Sequence, residues 1–170
     1  MEDIVINKVA QSALETIDLE TFYPKEEIIL FDLKDHLFMG LILKEKEYRE
    51  NLKNTDWSVY ENKIVGIYCS TDAVIPLWAY MLAVTHLQPA AKDLMVGNKD
   101  AVIEKCLLKN LGSIDSKSYE GKKIVIKGCG DKEIPASAYA EITKLLKPVA
   151  QSIMYGEPCS TVPVYKKKNK

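Results

Sequence analysis

An internal repeat restricts the fold of this chain more than any other feature. Residues 75–97 and 134–156 align without a gap. Ile75-Pro76 matches Ile134-Pro135, Ala79-Tyr80 matches Ala138-Tyr139, and Leu87 matches Leu146; Pro89, Ala91, Met95 and Gly97 match Pro148, Ala150, Met154 and Gly156. After one gap the match extends upstream, pairing Lys63-Ile-Val with Lys123-Ile-Val, Cys69 with Cys129 and Asp72 with Asp131. Each copy reads as a strand, a cysteine-bearing turn, a helix stopped by proline and a second strand, which is a βαβ unit with a right-handed crossover. Two such units, at 63–97 and 123–156, predict a three-layer α/β fold. The expected sheet is open and mostly parallel, with about five strands and helices on its faces.

The remaining segments fit that scheme. Val9, Ala13, Leu14 and Ile17 predict a short amphipathic helix, and Glu27 to Asp32 an apolar strand. Leu37, Leu41, Tyr48 and Leu52 fall at helical spacing and predict a helix of about five turns from Asp35. Asp72 is the expected N-cap of the apolar helix that follows it. A strand is expected at Asp93 to Val96, a helix at Lys99 to Asn110, a strand at Lys123 to Lys127, a helix at Pro135 to Leu146 and a last strand at Ser152 to Tyr155. Residues 164–170, with Lys166, Lys167, Lys168 and Lys170, read as a solvated basic tail.

A length of 170 residues predicts a single domain over 1–170. The 23 basic and 24 acidic side chains are interspersed, for a net charge of −1, so neither nucleic acid nor an anionic membrane surface is an expected partner. The longest apolar stretch, Ala73 to Val84, is too short to span a bilayer, and Met1 to Ala10 lacks a signal-peptide pattern. A cytoplasmic location follows as an expectation, with Cys69, Cys106, Cys129 and Cys159 as reduced thiols.

Chemistry in a parallel sheet gathers outside the carboxyl ends of the strands, where helix N-termini present free N–H groups. Three cysteines fall at such positions. Cys69 opens Cys69-Ser-Thr-Asp72, Cys129 lies in Gly128-Cys-Gly-Asp131, and Cys159 lies in Gly156-Glu-Pro-Cys-Ser-Thr161. The expected ligand-facing positions are therefore Ser70, Thr71, Asp72, Gly128, Gly130, Asp131, Ser160 and Thr161. Thiolates bind soft metals and attack electrophiles. One reading makes Cys69, Cys129, Cys159 and His36 ligands of zinc or iron; the other makes Cys69 or Cys129 a nucleophile. Cys106 sits between Ile103 and Leu107 on an apolar helical stripe and reads as core. The glycine turn at 128–130 lacks both the P-loop ending and the dinucleotide spacing.

Phe31-Asp-Leu-Lys-Asp35, Leu41-Ile-Leu-Lys-Glu-Lys46, Asp56-Trp57-Ser58, Trp78-Ala-Tyr80, Lys127-Gly-Cys129 and Met154-Tyr-Gly-Glu-Pro-Cys-Ser-Thr-Val-Pro163 carry a resemblance. The chain resembles an uncharacterised bacterial family, the domain of unknown function numbered twenty-four-eighty, over most of its length. The resemblance implies an association with iron–sulfur cluster assembly genes. It thereby implies thiol or metal handling, with iron–sulfur assembly proteins as partners. The expected function is a cysteine-lined binding site for a metal, a cluster or a small thiol-reactive ligand. A thiol-dependent enzyme and a non-catalytic protein–protein adaptor are the alternatives.

Overall fold

The computed structural model describes residues 14–157 and 159–168. Helices and mostly parallel strands alternate as expected of an α/β chain, but the strands divide between two sheets. The chain separates into two compact units, one formed by Pro24–Cys106 and the other by Met1–Tyr23 together with Leu107–Lys170.

The continuous unit contains β2 (Ile28–Asp32), α1 (Glu45–Lys53), β3 (Ile64–Tyr68), α2 (Leu77–Leu87), β4 (Asp93–Val96) and the start of α3 (Lys99–Leu111). Its sheet runs β2-β3-β4, all parallel. Four successive residues of the central strand, Ile64-Val-Gly-Ile67, are buried, as a strand covered on both faces requires. One face meets Ala79, Ala83 and Leu87 of α2 and Tyr48 and Leu52 of α1; the other meets Val102 and Cys106 of α3.

The discontinuous unit contains β1 (Leu14–Asp18), the end of α3, β5 (Lys123–Lys127), α4 (Ala136–Leu146), β6 (Ser152–Glu157) and β7 (Ser160–Lys166). Its sheet runs β1-β5-β6-β7, parallel except for β7. Ile17, Ile124, Ile126 and Ile153 form its core with Ala138, Ile142 and Leu146 of α4. No helix among the described residues is long and apolar enough to cross a membrane.

The two units use the same element order, β3-α2-β4 and β5-α4-β6. Ile64 pairs with Asp93 and Lys123 with Ser152, so a constant 59 residues separates equivalent positions. Asn62 and Gly121 both take positive φ, as do Gly97 and Gly156. This register needs no gap. It runs upstream through Leu52 and Leu111, Asp56 and Asp115, Tyr60 and Tyr119, and Lys63 and Lys122. It also replaces the upstream pairing read from sequence, since Cys69 now matches Gly128 and Cys129 matches Ser70. The likeness includes the first strands, because β1 and β2 each end in Asp and run into a short 3-10 turn that starts with Leu and is capped by that Asp, Asp18 or Asp32.

Several local expectations change. Leu14 and Ile17 lie on β1 rather than a helix, while Val9 and Ala13 fall outside the described residues. The helix expected from Asp35 is confined to Glu45–Lys53, because Met39 and Gly40 adopt φ of 53° and 71° and a tight turn joins Phe38 N–H to the Ile42 carbonyl at 2.7 Å. Asp72 does not cap α2. Pro76 stands at the N-cap, and its carbonyl accepts the Ala79 N–H at 2.9 Å. Residues 164–166 belong to β7, whose Pro163 is tolerated because an edge strand can spare a donor.

Cys106 is 4% exposed, with its Sγ 3.8 Å from Met95 Sδ. Cys106→Ala is expected to cost about 1 kcal/mol as a small core truncation. Urea unfolding followed by tryptophan fluorescence measures it, and both tryptophans, Trp57 and Trp78, lie in the same unit as Cys106. An unchanged midpoint would show that the thiol does not pack.

Candidate ligand site at the Gly128-Cys129-Gly130 turn

Strand alternation decides what each cysteine does. Val65 and Ile67 point into the core beneath α2, and Cys69 continues that alternation, packing partly buried against the same core. Its Sγ lies 3.3 Å from Thr71 Oγ1. In the other unit this position is Gly128, and a Cβ there would come within 2.5 Å of Tyr139 Oη. The cysteine comes one residue later and turns outward. Cys129 is exposed, with its Sγ 3.4 Å from Tyr155 Oη.

The same turn is held on its other side by a carboxylate. A Cβ on Gly130 would collide with the Glu20 carboxylate at Oε1, so glycine at 130 leaves room for Glu20. That oxygen is buried and makes no hydrogen bond. Two residues before Cys129, Lys127 Nζ lies 3.3 Å from Asp18 Oδ2 and 3.7 Å from Glu157 Oε1. Asp18, then Glu157, hold the Lys127 ammonium above the usual lysine range. The glycines of this loop therefore serve close approach by Tyr139 and Glu20. At the corresponding turn of the other unit a carboxylate also intervenes, since the Ser70 N–H donates to Asp32 Oδ1 at 3.0 Å.

Tyr139 and Tyr155 extend the site into the unit. Their rings meet edge to face, with centroids 5.6 Å apart. Together with Ile126, Ala140, Thr143, Ile153, Met154 and Val164 they line a mostly apolar groove of about 380 Å³ between α4 and the β5-β6-β7 sheet. Burial first, then the neighbouring Cys129, push the Tyr139 phenol above the usual tyrosine range. Tyr155 is raised chiefly by its hydrogen bond to Cys129. Both phenols are protonated at neutral pH, and either the Tyr155 hydroxyl or the Cys129 thiol can donate across their contact.

The residues lining the groove differ between the copies. Ala140 and Thr143 match Met81 and Val84, Tyr155 matches Val96, and after Gly156 the chain forms β7 where the other copy enters α3. Ala140 is smaller than Met81, and Val164 of β7 supplies a wall that the other copy does not have.

The other residues named from sequence are dispersed. Cys159 is exposed at the turn between β6 and β7, beside exposed Ser160, while Thr161 Oγ1 lies 3.7 Å from Met154 Sδ. Asp72 and Asp131 are exposed. His36 stacks on Phe31 at 5.0 Å and meets Tyr48 edge-on at 5.2 Å. Desolvation holds its pKa below the usual histidine value, although Asp35 and Asp32 work the other way. Cys69 and His36 belong to one unit, Cys129 and Cys159 to the other. Among the described residues, no group of three or more His, Cys, Asp or Glu is arranged to hold a metal ion.

Sequence reasoning did not single out Glu20 or Tyr155. Glu20 reaches the turn through the pairing of β1 with β5, distant in the chain. Tyr155 could have been noticed as the departure from Val96 inside an otherwise matched strand.

A family model described as "Protein of unknown function (DUF2480)" matches residues 3–167. The chain belongs to this family. No curated protein and no solved structure matches it. The matched span takes in both units and every residue of the site above.

Proposed function

We propose that the unit carrying Cys129 binds a small ligand with an apolar body and a thiol-reactive end, the body in the groove and the end at Cys129. One observation carries this reading: Cys129 Sγ contacts the hydroxyl of Tyr155, a residue that also lines the groove. Apolar walls supply affinity by burying hydrocarbon, and the few polar atoms at one end supply orientation. The Tyr155 O–H would orient the Cys129 sulfur by hydrogen bonding; the thiol gives its proton to solvent before attack, the adduct takes one back from solvent, and Tyr155 stays protonated throughout.

Labelling rates with N-alkylmaleimides of increasing chain length, resolved by peptide mass spectrometry, test the proposal. Cys129 should react faster with each added methylene, by up to about fourfold if the methylene is fully buried. Cys159 should not. Ala140→Met, which installs the residue of the other copy, should abolish the dependence at Cys129. Equal rates for all chain lengths at Cys129, or the same trend at Cys159, would refute the groove as a binding site.

A further inference from the structure

We infer that this site, if it is the ligand site just proposed, accepts a ligand whose reactive end is neutral or cationic and excludes anions. A turn with two glycines ahead of a helix is ordinarily a place for phosphate or carboxylate, because free N–H groups and the helix dipole both favour negative charge. Here the protein's own carboxylates occupy that ground. Glu20 Oε1 lies where a side chain on Gly130 would begin, and it has no hydrogen-bond donor to offset it.

The remaining charges do not restore the balance. Lys127 is shared between Asp18 and Glu157, so those three groups together carry one net negative charge. Lys132 Nζ lies over the Tyr23 ring, 4.6 Å from its centroid, and is flanked in the chain by Asp131 and Glu133. Glu20 adds a second negative charge. An anion brought to Cys129 would meet this field beside an apolar groove, where charges interact more strongly than in water. A trimethylammonium, an amide, an aldehyde or another uncharged electrophile would not be repelled. The apolar walls and the Cys129–Tyr155 contact make this a selectivity rule for a site.

Two methanethiosulfonates of similar size, one ending in trimethylammonium and one in sulfonate, test the inference on the full chain. The cysteine sulfur displaces methanesulfinate from either reagent and forms a disulfide with the remainder, so only the charge differs. At low ionic strength the cation-to-anion rate ratio at Cys129 should exceed that of free 2-mercaptoethanol by about tenfold. High salt should collapse the excess, and Glu20→Gln and Glu157→Gln should each reduce it. A ratio equal to that of the free thiol, or an excess that survives both substitutions and salt, would overturn the inference. The maleimide series separates the two ideas: chain-length dependence without charge preference fails this inference alone, and charge preference without chain-length dependence fails the groove.

Discussion

Tyr48→Ala should destabilise the unit formed by Pro24–Cys106 by about 3–5 kcal/mol, the range for removing a large buried ring. Tyr48 is fully buried, its ring meets His36 and Trp78, and its hydroxyl donates to the Ala79 carbonyl at 3.1 Å. It thereby ties α1 to α2 over β3. Tyr48→Phe keeps the ring and removes the donor, so it should cost only about 1 kcal/mol. Denaturant unfolding followed by tryptophan fluorescence reads this unit alone, since both tryptophans lie within it. If Tyr48→Phe proved as damaging as Tyr48→Ala, the hydrogen bond rather than the packing would dominate.

The same residue predicts a pH dependence. Desolvation raises the Tyr48 pKa well above its ordinary value of 10.0. A raised folded pKa means that the unfolded chain loses its proton first as pH rises. The stabilising effect is therefore complete below pH 10.0 and declines above it, as the unfolded state gains the advantage of ionising. Tyr48→Phe should flatten that decline. A stability curve of unchanged slope in the variant would show that Tyr48 ionises as readily folded as unfolded.

Gly66→Val should cost about 3 kcal/mol, because β3 has no room on the side facing α3. A Cβ at this position would lie 2.8 Å from the Gly97 carbonyl oxygen, from Leu30 Cδ2 and from Val102 Cγ2. Overpacking at three contacts, one of them backbone, forces the strand or the helix to move. The equivalent position in the other unit is Val125, buried and fully accommodated. What differs is the segment after the second strand: Gly97 leads into α3, which carries Val102, whereas Gly156 leads into the β6–β7 hairpin. Val102→Ala should recover part of the loss in the double variant. Additive effects of the two substitutions would locate the strain elsewhere.

Much of the architecture is legible in the chain itself. The matched prolines, Ala-Tyr pairs and terminal glycines mark βαβ order, because proline limits backbone to helix starts and stops and the glycines occupy positive φ. Burial of Cys106 is equally legible, as helical spacing places it with Ile103 and Leu107. The segment 37–42 misled because its apolar residues match a helical period, while the turn at Met39-Gly40 depends on backbone conformations that periodicity does not register. β7 was obscured by Pro163, which local rules weigh against a strand without knowing that the strand lies at an edge.

The candidate site belongs mainly to tertiary structure. That Cys69 and Cys129 lie at strand-end turns follows from sequence; that one turns inward and the other outward follows from a register one residue different from the apparent alignment. Glu20 meets Gly130 only because β1 pairs with β5 across a chain that first builds another unit. Tyr155 meets Cys129 only because β6 is the other neighbour of β5. Local preferences act over a few residues and determine which elements form. The packing of strands distant in sequence determines that Cys129 meets Tyr155, a residue that also lines an apolar groove.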